Sequence, residues 1–298
     1  MNLQELTDLL PPDFEIVLAD VGAVGGLKDR WAAVRNRVTA IMFDPRTEQS
    51  APREGTQRDR NVTYPVALSR EDSELTLYVT KFGNMSSVLK PNPKILGRYR
   101  KWGEAGKVIK EIPFSATTLD AIATRGSHII DTIKVDTQGH EIDVLRGSTF
   151  ALSSSVIFVE VEVSFIERYV NQPLFGDVAR FMDSHEFELL DLYQQRRYYA
   201  KNSFGFEAGK RGEHNGGQLA YSDAIFMLRE KKLLDRILAF SDEKRSQCAA
   251  KAIILLLTYG KIDIACSLYD FMRPHLIDSY QGPFDQYFGA TSEKLLEK

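Results

Sequence analysis

Residues 133–147 read IKVDTQGHEIDVLRG, and this stretch decides the fold. A short, mostly apolar run stops at an acid, Asp136, and Thr137, Gln138 and Gly139 supply a turn. From about His140 the apolar residues Ile142, Val144 and Leu145 recur at helical spacing until Gly147 stops them. A strand, a glycine turn and a helix in so short a space form the unit from which a sheet covered by helices is built.

The pattern repeats on both sides of this block. Ile16 to Asp20, Val38 to Asp44, Ile129 to Asp136 and Val156 to Val163 read as strands separated by amphipathic stretches. The expected class is therefore α/β around a mostly parallel sheet. Three of these strands end in an acid. Ligands of open α/β sheets lie beyond the carboxyl ends of the strands, so Asp20, Asp44 and Asp136 are expected to share one site, with Glu160 and Glu162 closing the fourth strand nearby. A helix (Pro173 to Ser184), a strand (Phe187 to Tyr193), an Arg-, Tyr- and Gly-rich segment (Gln194 to Gly217) and a strand (Ala220 to Leu228) follow. The last two strands, joined without a helix, read as an antiparallel pair.

From Arg229 onward the pattern is helical only. Residues 1–229 are expected to form the α/β domain and 230–298 a C-terminal helical extension. Within the extension, Tyr259, Gly260, Ile262, Ala265, Leu268, Tyr269 and Pro274 resemble one tetratricopeptide-type hairpin. Its apolar stripes, Ala252 to Leu257 and Ile264, Leu268 and Phe271, must be buried on the main domain or on a second copy in a homodimer.

The 298 residues are 43% hydrophobic and 27% charged, a globular composition with enough chain for a large core. The longest aliphatic run, Ala252 to Leu257, is far short of the roughly 20 residues that span a membrane. Met1 to Pro12 holds two acids and no base, unlike a signal or transit peptide, so the expected compartment is the cytoplasm. Cys248 and Cys266 are too few for a disulfide framework or a thiolate cage. A net charge of −3 gives no general reason to expect nucleic acid or a membrane surface as partner. The basic stretches Lys90 to Lys110 and Gln194 to Gly217 read as solvated faces or as the lining of a site for an anionic substrate.

The first loop, Asp20 to Gly26, has an acid where a dinucleotide-binding turn needs glycine against a pyrophosphate. That disfavours NAD and suits a ligand with a cationic end. Gly22, Gly25 and Gly26 still permit a tight turn and close backbone approach. Asp44, at the end of the next strand, stands where an acid takes the ribose hydroxyls of an adenosine cofactor. An amino acid joined to an adenosine is S-adenosylmethionine; the blander alternative is a glycine turn and a surface aspartate.

Asp136, His140 and Glu162 are the candidate proton acceptors, and Asp136 is expected at the cofactor as well. His140 lies at a helix N-terminus, where the dipole disfavours its charged form, unless it is simply a surface residue. Asp136, Glu160 and Glu162 offer hard oxygen ligands for a divalent cation such as Mg, the alternative for the glutamates being salt bridges to Lys or Arg. Tyr193, Arg196, Arg197, Tyr198 and Tyr199 gather where a lid over an acceptor would sit, aromatic faces for a sugar ring and guanidinium forks for an anion, or else form an ordinary polar loop.

Lys134 to Glu141, then Val144, Leu145 and Gly147, then Glu160, Glu162, Ser164 and Phe165 with Tyr169, Gln172, Pro173 and Leu174, resemble the FkbM family of S-adenosylmethionine-dependent methyltransferases. Met85 to Asn92 and Thr117 to Asp120 also match that family. The resemblance runs from about Ile16 to Leu228 and implies a class I, Rossmann-like methyltransferase sheet. It further implies cofactor held by the Asp20 to Gly26 loop and Asp44, and O-methylation of a sugar or polyketide hydroxyl on a small molecule or glycan. Where the family more often has Glu, this chain has Asp44, which preserves the ribose-binding logic. The competing expectation is a non-catalytic module that binds cofactor or serves as a scaffold, using the helical tail for partners. A nucleic-acid methyltransferase is disfavoured by the acidic charge and by the lack of an Asn-Pro-Pro-aromatic type of motif at Asp136.

Overall fold

The computed structural model describes residues 1–22, 26–45, 61–204, 210–211 and 214–296. The chain opens with α1 (Leu3–Leu9), β1 (Ile16–Val21), a 3₁₀ helix (Asp29–Arg37), β2 (Val38–Phe43) and β3 (Val62–Tyr64). An insertion follows: β4 (Ala67–Leu68), β5 (Ser73–Thr80), α2 (Pro93–Leu96), α3 (Trp102–Ala105) and β6 (Val108–Thr117). Then come α4 (Leu119–Arg125), β7 (Thr132–Val135), α5 (Glu141–Arg146), α6 (Thr149–Ser154), β8 (Phe158–Ser164), α7 (Phe175–Ser184) and β9 (Phe187–Tyr198). A small ribbon, β10 (Lys210–Arg211) and β11 (His214–Asn215), precedes β12 (Gln218–Leu228). The tail is α8 (Glu230–Leu238), α9 (Asp242–Thr258), α10 (Ile262–Met272) and α11 (Asp278–Leu296).

The main sheet has the order β3-β2-β1-β7-β8-β12-β9. The strands from β3 to β8 pair in parallel, and β12 is antiparallel to both of its neighbours. Counted in chain order, the seven strands run 3-2-1-4-5-7-6, the class I methyltransferase sheet with its single reversed strand. Every residue of β7 and β8 is buried, as both faces of a central parallel strand are covered.

A second, three-stranded sheet, β4-β6-β5, occupies the insertion between β3 and α4. Nothing in the apolar pattern announces it, because β5 is half-exposed and β6 largely exposed along most of their length, so neither has a cleanly buried face. The last two strands also run further than expected, β9 to Tyr198 and β12 from Gln218, as one long antiparallel pair.

Tail and sheet share one buried cluster, in which Leu255, Leu256 and Tyr259 lie with Val159 and Phe158. Helix α9 begins with the charged residues Asp242 to Arg245, but its second half is enclosed, with every residue from Ala252 to Leu257 buried within the chain. The stripe expected on α10 is corrected: Ile264 and Phe271 are 37% and 49% exposed, and the inward residues are Ala265, Leu268, Tyr269 and Met272. The tail is also bound by polar contacts. Lys251 Nζ pairs with Asp131 at 2.8 Å, and Arg236 donates to the main-chain oxygen of Val156 at 2.8 Å. Among the described residues, no helix is long and apolar enough to cross a membrane.

Candidate active site

A cavity of about 490 Å³ opens beyond the carboxyl ends of β1, β2, β7 and β8, and the inserted sheet contributes Leu75, Leu77 and Phe114 to its cover. Gly22, Asp44, Asp136, His140 and Glu162 all line it, so the strand-end reading brings these five together. Gly22 continues β1 with φ +78°, and its N–H donates to the Phe43 oxygen at 2.9 Å. A Cβ at this position would lie 2.1 Å from the Asp136 main-chain oxygen. Glycine is thus required both by conformation and by close approach. Gly25 lies outside the described residues.

Asp20 is not on the wall. It sits behind it, 2% exposed, with Oδ1 3.1 Å from Lys134 Nζ. Burial pushes the Lys134 ammonium down, but the carboxylates of Asp20, Asp136 and Glu160 together hold it above its ordinary value. The cation beside Asp20 in this structure is therefore the chain's own lysine.

The turn after β7 is pinned from within. Gln138 and Gly139 adopt φ of +58° and +112°, and the buried Glu141 carboxylate accepts the N–H groups of Thr137 at 3.0 Å and Gly139 at 2.8 Å. That arrangement aims Gln138 at two carboxylates. Its Nε2 donates to Asp136 Oδ1 at 2.8 Å and to Glu162 Oε1 at 3.2 Å, while Tyr169 donates to its Oε1 at 3.2 Å. Glu162 also accepts from the buried Arg168, whose guanidinium lies over the Tyr221 ring at 4.3 Å. Burial drives the Glu162 carboxyl up to about 8 against the pull of Arg168, and Asp136 and Glu141 add repulsion.

His140 is buried rather than on the surface. Its Nε2 lies 3.1 Å from Ser69 Oγ and its Nδ1 3.5 Å from Asp143. Its pKa is lowered, as the sequence suggested, but chiefly by burial; Asp143 opposes the shift and Arg70 adds to it.

The cation site expected from Asp136, Glu160 and Glu162 is corrected. Glu160 Oε2 accepts from Arg30 Nη1 at 2.5 Å and from the Tyr259 hydroxyl at 3.0 Å, and Glu162 is held by Arg168. Guanidinium groups already supply the positive charge that the pair needs. Among the described residues, no three His, Cys, Asp or Glu side chains are grouped to hold a metal.

The residues expected to face an acceptor separate by strand alternation. Because β9 continues to Tyr198, Gln194, Arg196 and Tyr198 line the cavity, whereas Arg197 and Tyr199 do not. Arg197 instead donates to the Gly217 oxygen at 3.2 Å. Tyr193 is also off the wall, its hydroxyl donating to the Tyr259 oxygen at 2.5 Å. Several wall residues escaped the sequence reading: Gln138, Trp102, Tyr221 and Asp223. Trp102 stacks on Tyr198 with centroids 4.4 Å apart. Tyr198, grouped with Arg196 in the sequence, is on the wall; nothing local signals Trp102.

A family model for the methyltransferase FkbM domain matches residues 20–189, more than half of the chain. Comparison with curated proteins gave no match. Among solved structures, the crystal structure of methyltransferase FkbM from Methylobacillus flagellatus KT is similar at 11% identity with a TM-score of 0.35. That alignment covers 76% of this chain and 48% of the other, so the present chain spans about half that protein's length.

Proposed function

The chain belongs to the FkbM methyltransferase domain family, and on that premise we propose that it is an S-adenosylmethionine-dependent O-methyltransferase acting on a hydroxyl of a sugar, glycan or sugar-bearing small molecule. The observation that carries this reading is the meeting of the bare Gly22 backbone, Asp44 and Asp136 around one cavity at the strand ends. The first two fit the cofactor: Gly22 leaves room for close approach, and Asp44 offers a carboxylate to two ribose hydroxyls. When bound, the cofactor supplies an electrophilic methyl carbon on a sulfonium.

The protein's task is then mostly positioning, since an acceptor oxygen must lie about 3 Å from that carbon and in line with the sulfur. Half-buried Trp102, backed by the buried Tyr198, offers an aromatic surface against which a sugar ring can lie, and Gln194 and Arg196 add polar groups at the rim. Alcohols do not ionise at neutral pH, so the proton leaves during attack to a nearby base. Glu162 is tied to Arg168 and His140 to Ser69. Asp136, oriented through one oxygen by Gln138, is the residue assigned to accept it. The reading suits a cytoplasmic enzyme whose two cysteines are free thiols.

The test is calorimetric titration with S-adenosylmethionine and with its demethylated product, followed by an acceptor screen of sugars and sugar nucleotides that reads cofactor consumption. Binding is expected for both cofactor forms and weaker by about tenfold or more in Asp44→Ala. Preference for NAD over S-adenosylmethionine would sink the reading.

A further inference from the structure

The turn between α9 and α10 reaches beneath the cavity. Tyr259, which caps α9, is buried with its ring stacked on Phe158 (centroids 5.7 Å apart) and edge-on to Trp31 (6.1 Å). Its hydroxyl donates to Glu160 Oε2 at 3.0 Å. The same oxygen accepts from Arg30 Nη1 at 2.5 Å, and the other arm of that guanidinium, Nη2, lies 3.7 Å from Asp223 Oδ2. Asp223 lines the cavity on the acceptor side, and Lys28, just before Arg30, lines it on the side of the first glycine loop. One carboxylate oxygen in the tail's reach is thereby connected to Asp223 on the wall through Arg30.

We propose that the C-terminal helices are a working part of this site and that Tyr259 is a positioning residue: its hydroxyl fixes Glu160, Glu160 fixes Arg30, and Arg30 holds Asp223 where the acceptor docks. A buried carboxylate needs its lone pairs filled, and the planar guanidinium fork transmits orientation from one carboxylate to the next. With the phenol oxygen gone, Glu160 keeps Arg30 but loses the donor that fixes its rotation. Neither Tyr259 nor Asp223 falls within residues 20–189, so the role lies outside the family-matched segment.

Tyr259→Phe keeps the ring between Phe158 and Trp31 and deletes only the oxygen. Acceptor KM is expected to rise about tenfold with kcat and melting temperature close to the parent's, and amide hydrogen exchange over residues 28–37 should quicken. Tyr280→Phe is the control, since Tyr280 is equally buried in the same tail and its hydroxyl has no hydrogen-bond partner among the described residues. Glu160→Gln leaves the tail's packing in place but removes the charge that holds Arg30, so it should raise the same KM. It decides the matter if Tyr259→Phe folds poorly.

The kinetic readout rests on the methyltransferase reading; a parent that binds no S-adenosylmethionine would end that reading, while the exchange measurement would still decide this one. Unchanged exchange over 28–37 in Tyr259→Phe, or an equal change in Tyr280→Phe, overturns the positioning role.

Discussion

The main-chain oxygen of Asp136 occupies the space that a side chain at Gly22 would need, 2.1 Å from the place of its Cβ. The turn after β1 and the turn after β7 are thus packed backbone to backbone. Gly22→Ala must shift one of them and must also hold alanine at φ +78°. The conformation alone costs about 1–3 kcal/mol. We expect a lower melting temperature in calorimetry and loss of S-adenosylhomocysteine binding, both larger than for any Ala substitution on the exposed face of α7.

Asp136→Asn should keep the fold and cofactor affinity while lowering turnover by roughly 100-fold, the usual scale for a lost general base. Because Glu160 and Glu162 are engaged by Arg30 and Arg168, chelator should leave the parent's turnover unchanged. Chelator-sensitive activity restored by magnesium would reinstate a cation at this site.

His140 gives a pH dependence of definite sign. Burial holds its folded pKa below the ordinary 6.5, so as pH falls through that value the unfolded chain takes up a proton before the folded chain does. The His140 contribution to stability is therefore full above about pH 6.5 and declines as pH drops toward the folded pKa, at no more than about 1.4 kcal/mol per pH unit. Urea denaturation between pH 7.5 and 5 should show this slope in the parent relative to His140→Gln. Parallel curves for the two proteins would contradict it.

Lys251→Ala strands a buried carboxylate. Asp131 would keep the Val17 N–H at 2.8 Å but lose its only ion-pair partner among the described residues. Removing one member of such a pair costs about 3–5 kcal/mol. Burial already drives the Asp131 carboxyl upward, with Lys251 as the largest opposing influence. Lys251→Met with Asp131→Asn should recover part of the lost stability in thermal melts.

The sheet and the strand-end part of the wall were legible because they depend on local signals. Asp44 and Asp136 follow apolar runs, and both line the cavity. Asp20 has the same local signature, yet it lies opposite Lys134 across the β1–β7 pairing and is taken by it. A partner more than a hundred residues away leaves no trace in the pattern around Asp20. Glu160 and Arg30 are separated in the same way. Arg197 and Tyr199 were grouped with Arg196 because the strand was expected to stop at Tyr193; once it runs to Tyr198, alternation divides them between two faces. The inserted sheet was hidden for a different reason, since strands that bury little of either face carry no clean binary code.

The placement of β12 between β8 and β9 governs the order in which the chain can be completed. As the polypeptide leaves the ribosome, β9 emerges before β12, its partner in the main sheet among the described residues, and the β8 edge stays open until residues 218–228 arrive. A nascent chain halted at residue 189, where the family match ends, would carry a long unpaired edge and the uncovered face that α9 later seals. Closure of the sheet is thus a late, non-local event, and during synthesis the chain depends on its last quarter to hide the strands made before it.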